Sequence, residues 1–163
     1  MTDDLAVMIH GIPAPKGSMK CVAKHAPGHR AQLIEDHRVG QKEWRAQIVK
    51  VGIALRRKAG GQITGPVEVC ATMTLPRPKS HYRTGRNAHI VRDDAPLWPC
   101  IVGSKDDDKL ARLLLDGLCD KPAALFADDA QICHLDVWKS YPDTPGCPDR
   151  LDQPGAVIRV YRL

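Results

Sequence analysis

The side chains best suited to chemistry in this sequence are five aspartates in two clusters. Asp106, Asp107 and Asp108 stand in GSKDDDKLARLLLDGL, and Asp128 and Asp129 in LFADDAQICHLDVWK. Carboxylates held close together repel and raise one another's pKa, so two such clusters flanking a helix are costly to fold unless a cation lies among them. In an extended backbone Asp106 and Asp108 share a face while Asp107 turns away, so the segment is predicted to arrive extended and to become helical near Asp108. Beyond it Leu110, Leu113, Leu114 and Leu118 fall on one helical face, and Asp108, Arg112 and Asp116 on the other at i, i+4, i+8. Taken alone, that outer stripe reads as a surface helix whose exposed ion pairs contribute little. Its combination with Asp128 and Asp129 favours a site.

The joined pattern is specific. An aspartate pair one residue apart (Asp106, Asp108), a basic residue four positions on (Arg112), then LDGL, ADDAQI and a lysine near the end of the following strand (Lys139) resembles the RusA family of Holliday junction resolvases. The GIPAPKGSMK and TLPRPKSHY segments resemble the family more weakly. The resemblance implies a small, dimeric, magnesium-dependent endonuclease of the kind often carried by phages, with Asp106, Asp108 and Asp129 as the metal-binding catalytic carboxylates and Asp128 as an accessory. The family commonly reads D-x-D-N and then lysine, whereas Lys109 and Arg112 occupy those places here. An arginine is not deprotonated at working pH, which excludes a general base at Arg112 and leaves a phosphate clamp or a stabiliser of transition-state charge.

Composition is compatible with this. The 163 residues fit one domain, 1–163, long enough to bury a core without disulfides or metal staples. Six cysteines show neither a C-x-x-C pair nor zinc-knuckle spacing, and Cys21, His25, His29 and His37 match no structural zinc site. The acidic start lacks a long apolar run, so neither a signal peptide nor a membrane span is expected, and a reduced cytoplasmic protein follows. The net charge of +5 is uneven: residues 1–105 carry 17 Lys and Arg against 8 Asp and Glu, residues 106–163 carry 7 against 11. A basic body attached to an acidic pocket suits a nuclease, because the body attracts phosphates and a bound cation makes the pocket tolerable to them.

These residues must be positioned by the rest of the chain. Residues 5–12 read as a strand stopped by Pro13 and Pro15, followed by a basic loop in which Lys16 and Lys20 face DNA and Gly17 and Ser18 could cradle a phosphate, although no G-K-[ST] makes it a P-loop. Residues 40–58 read as the long helix, with Trp44, Ile48, Val51 and Leu55 on a core face and Arg56, Arg57 and Lys58 near its C-terminus. Residues 67–75 alternate as a half-buried strand. Residues 76–96 show no period and are expected to form a DNA-gripping arm that orders on binding, with Arg77, Lys79, Arg83 and Arg86 on phosphates and His81 and Tyr82 available to stack. Residues 131–139 and 156–163 read as strands, the former with Ile132, His134 and Asp136 on one face and Cys133, Leu135 and Val137 on the other. The expected fold class is α+β, a mixed β-sheet packed against two main α-helices in a single RusA-like domain.

The function expected is Mg²⁺-dependent resolution of four-way DNA junctions by paired phosphodiester hydrolysis in a homodimer, with no nucleotide cofactor and no membrane partner. A nuclease acting on other branched DNA or plain duplex, and a non-catalytic basic DNA-binding module, are the alternatives. A calcium loop at Asp106–Gly117 is set aside, since it lacks glycine at loop position 6 and glutamate at 12.

Overall fold

A computed structural model describes residues 5–21, 33–35, 39–100, 105–122 and 124–163. Eight elements run in the order β1 (Leu5–His10), β2 (Met19–Cys21), β3 (Leu33–Glu35), α1 (Gln41–Lys58), β4 (Val67–Thr74), α2 (Asp107–Leu118), β5 (Ile132–Ser140) and β6 (Gly155–Arg162). The main sheet has the order β1-β6-β4-β5. Within it β4 and β5 pair parallel, whereas β1 and β4 both pair antiparallel with β6. A parallel pair needs a crossover, and α2 supplies it. The short β2–β3 hairpin stands apart from this sheet. The expected α+β architecture is therefore present. No described helix is long and apolar enough to cross a membrane.

The core lies between the helices and one face of the sheet. Trp44, Ile48, Val51 and Leu55 of α1 and Leu110, Leu113, Leu114 and Leu118 of α2 are all buried, as their spacing requires, against Val67, Val69, Ala71 and Met73 of β4 and Ile158 and Val160 of β6. The helices cross at two glycines. A Cβ added at Gly117 would lie 2.5 Å from Ile48 Cγ2, and one at Gly52 would lie 3.6 Å from Leu118. Only a residue without a side chain lets α2 approach α1 this closely at Gly117.

Two expectations change. The alternation read along residues 131–139 fails at its start, because the β4–β5 register slips between Val67/Ile132 and Glu68/His134 and leaves Cys133 as an extra residue. That bulge puts Ile132 on the core side together with Val137, where a strict period of two would separate them. The arm at 76–96, read from the sequence as aperiodic, has local structure of its own. Two 3₁₀ turns, Lys79–His81 and Gly85–Asn87, and a bridge between Tyr82 and Val91 shape it. It is anchored by Arg77 Nη2, which lies 2.6 Å from Asp143 Oδ1, while Nη1 donates to the Pro96 carbonyl at 2.8 Å and the guanidinium sits 4.3 Å from the centre of the Tyr141 ring.

Candidate active site

The first acidic cluster sits where α2 begins. Asp106 is the extended residue preceding the helix (φ −73°, ψ 135°), and Asp107 and Asp108 already lie in its first turn. The helix thus starts one residue earlier than expected, and Asp106 and Asp108 do not share a face of an extended strand. The early start has an electrostatic reason: carboxylates are stabilised next to the unpaired N–H groups and positive dipole end of a helix. All three aspartates are exposed.

Each has a cation close by. Lys109 Nζ is 3.0 Å from Asp106 Oδ2, Lys139 Nζ is 3.4 Å from Asp107 Oδ1, and Arg112 Nη2 is 4.0 Å from Asp108 Oδ2. Lys139 comes from the far end of β5 and also donates to the Lys105 carbonyl at 3.0 Å, which ties that strand end to the entry of α2. Lys105 donates to the Pro13 carbonyl, and burial lowers its pKa. The loop after β1 docks on the same helix: the Lys16 N–H donates to the Lys109 carbonyl at 3.0 Å, and Lys16 Nζ lies 2.6 Å from Asp116 Oδ2. Beside the cluster a recess of about 270 Å³ is walled by Trp98 and Trp138, whose ring centroids are 6.1 Å apart.

The second cluster is organised by its own hydrogen bonds. Asp128 caps the 3₁₀ turn Asp129–Gln131 by accepting from the Ala130 N–H at 2.8 Å, and the Gln131 side chain accepts from the Ala127 N–H and donates to the carbonyls of Ile63 and Gly65. Asp128 therefore has a structural task, whereas the exposed Asp129 carboxylate makes no hydrogen bond or ion pair with any described residue. This turn lies at the opposite end of α2 from Asp106. The Leu125 N–H donates to the Leu118 carbonyl, and the Cys119 thiol just past the helix is pushed up to about 11, first by burial and then by Asp129, Asp128 and Asp116. Twelve residues of helix span about 18 Å. Among the described residues no group of three or more His, Cys, Asp or Glu side chains is placed to hold a metal ion. Asp106, Asp108 and Asp129 thus do not converge within one chain. The donor chemistry nonetheless fits a hard cation, since every candidate ligand is a carboxylate oxygen.

The expected DNA contacts divide. Lys79 and Arg86 are exposed and make no hydrogen bond or ion pair with any described residue. Arg83 binds both oxygens of Asp93, at 2.9 and 3.1 Å, and Lys16 is held by Asp116. Arg77 is not available to phosphates: its side chain is 2% exposed and satisfied by Asp143, Pro96 and Tyr141. His81, expected to stack on DNA, is buried edge-on against Tyr141. The side chain of Lys20, like residues 22–32, lies outside what the structure describes. Sequence reasoning assigned no role to Lys109, Lys139 or Gln131. The D-D-A-Q spacing of a capping box was the available signal for Gln131.

A family model described as Endodeoxyribonuclease RusA matches residues 13–148. No curated protein matches the chain. The matched span takes in both helices, β4 and β5 and both acidic clusters, so the similarity covers the whole of the candidate site and its supports. With the parallel strands β4 and β5, the crossover helix and the acidic turns inside that span, the chain belongs to the RusA family of Holliday junction resolvases, which are endodeoxyribonucleases.

Proposed function

We propose that the protein is a Mg²⁺-dependent endonuclease that resolves four-way DNA junctions by paired hydrolysis, acting as a homodimer in which each catalytic centre draws carboxylates from both chains. The observation that carries this reading is the placement of the two acidic clusters along an open sheet edge. β5 is an edge strand, and Leu135 and Trp138 on it are 38% and 40% exposed. Asp129, with no hydrogen bond or ion pair to any described residue, lies just before its first residue, and the Asp106–Asp108 cluster is tied to its far end by the Lys139–Asp107 pair. Nine strand residues cover about 30 Å. An edge strand is a template for pairing with another chain, and an isologous contact repeats one surface on both subunits. If two copies of β5 pair antiparallel about a two-fold axis, Asp129 of the partner subunit is carried toward Asp106 and Asp108, and the reciprocal centre forms at the other end. Two centres related by a two-fold axis suit a substrate with two equivalent strands to cut.

At each centre Asp106, Asp108 and Asp129 of the partner subunit would hold the metal, which when bound supplies charge neutralisation at the scissile phosphate and activation of water. Arg112, one turn beyond Asp108 and 70% exposed, is free to swing from its long 4.0 Å contact onto a phosphate oxygen. Lys109 and Lys139 hold the acidic turn in shape by compensating Asp106 and Asp107. Lys79 and Arg86 reach the DNA backbone from the 76–96 arm. Branched DNA is the partner and the cytoplasm the place of action.

A strand-resolved cleavage assay tests this on a synthetic four-way junction, with Mg²⁺ and with EDTA, beside a linear duplex of equal length. Symmetric nicks on two opposed strands, dependent on Mg²⁺, are expected. Preference for the linear duplex, or salt-sensitive binding with no Mg²⁺-dependent cutting, would overturn the reading in favour of a different nuclease or a binding module.

A further inference from the structure

The proposed arm at residues 76–96 offers fewer free cations than its composition implies, because Arg77 is buried, Arg83 holds Asp93 and Arg92 holds Asp94. The helices present a more continuous basic surface. A groove of about 710 Å³ between α1 and α2 is lined by Lys16, Lys42, Arg45, Lys50, Asp116 and Asp120. Both of its carboxylates already hold a cation, with Lys16 2.6 Å from Asp116 and Arg45 3.0 Å from Asp120. The floor is thereby neutral. Lys42 and Lys50 remain on the lip, exposed and without a hydrogen bond or ion pair to any described residue. Eight helical residues put them about 12 Å apart on the same side of α1, and Arg57, seven residues further on and also exposed, extends the stripe. The helix opposes this charge with a single acid, Glu43 in its first turn.

We propose that this stripe on α1 is the track along which a duplex arm of the junction lies, with Lys42 and Lys50 on separate phosphates of its backbone. The inference rests on the junction-nuclease reading and adds the surface that grips an arm. Two features favour a nucleic-acid backbone over an acidic protein surface. The cations repeat along the helix at a spacing comparable with a few phosphate steps, and Lys16, which lines the groove, is tied to the first turn of α2 by its N–H, which donates to the Lys109 carbonyl.

The test is fluorescence anisotropy of a labelled four-way junction in EDTA over a series of salt concentrations, using wild type, Lys42→Ala/Lys50→Ala and, as a comparison on another surface, Arg150→Ala. Arg150 pairs with Asp152 in the loop before β6. Withdrawing one cation from its phosphate should make the slope of log K against log salt less negative by about 0.9, so the double variant should have a slope shallower by about 1.8 and bind at least roughly tenfold more weakly near 0.1 M salt. Arg150→Ala should keep the wild-type slope. Thermal melts should coincide, because both lysines are exposed. A double variant with the wild-type slope would overturn the track while leaving the nuclease reading intact. A wild-type protein without salt-dependent junction binding would overturn both.

Discussion

Gly117→Ala probes the contact that holds the carboxylate-bearing helix in place. The new Cβ would lie 2.5 Å from Ile48 Cγ2 and 2.8 Å from Ile48 Cβ, whereas carbon atoms settle at about 3.5–4.0 Å. Ile48 is fully buried, and its Cβ cannot retreat by changing rotamer, so α2 must move by about 1 Å. Overpacking of this kind costs roughly 1–3 kcal/mol, and the better helix propensity of alanine returns at most about 1 kcal/mol. The net loss is at most about 3 kcal/mol, equivalent to a fall of up to roughly 12 °C in Tm for a chain of this size. Urea unfolding should show a lower midpoint with an unchanged slope. Because Ile48→Ala removes Cγ2 but keeps the Cβ at 2.8 Å, the same substitution should cost less on that background without becoming free, a coupling of at least about 0.5 kcal/mol. Strictly additive effects, or a Gly117→Ala protein more stable than wild type, would refute the close packing on which the placement of α2 depends.

Arg77→Ala should destabilise by about 2–3 kcal/mol: the buried guanidinium is removed with its charged and neutral hydrogen bonds, and half-exposed Asp143 regains water in part. Thermal melting with junction binding at several salt concentrations checks this; an unchanged Tm with a reduced salt slope would return Arg77 to the phosphates. The Arg159 side chain, bonded to both Asp149 oxygens at 2.6 and 2.7 Å, holds the Asp149 carboxyl below its usual pKa. That depression stabilises the fold above about pH 4 and is lost as pH falls through the lowered value. Asp149→Asn should therefore flatten the acid limb of stability against pH, and an acid limb identical to wild type would contradict the assignment.

What the sequence disclosed follows from how local the signal is. The core faces of α1 and α2 are written in Trp44, Ile48, Val51, Leu55 and in the leucines after Asp108, because helical periodicity needs no knowledge of the partner. Arg77 misleads because its burial depends on Asp143 and Tyr141, far along the chain, and nothing in PRPKSHY announces them. The bulge at Cys133 is set by pairing with β4, which strand alternation cannot see. The separation of Asp129 from Asp106 could have been foreseen. In a strand–helix–strand crossover, residues entering the helix lie beyond the C-terminal ends of the parallel strands and residues entering the next strand beyond their N-terminal ends, so clusters placed before α2 and before β5 fall at opposite ends.

Mixing two inactive variants tests the shared centre most directly. Asp106→Asn and Asp129→Asn chains should each fail to cut as homodimers while still binding junctions. In a mixed dimer with centres built across the interface, one centre combines both mutant positions and the other combines Asp106 and Asp108 of one chain with wild-type Asp129 of its partner subunit. Co-refolding the two should therefore restore Mg²⁺-dependent nicking of one strand per junction. A mixture as inactive as either parent, with mixed dimers shown to form, would contradict centres assembled from two chains.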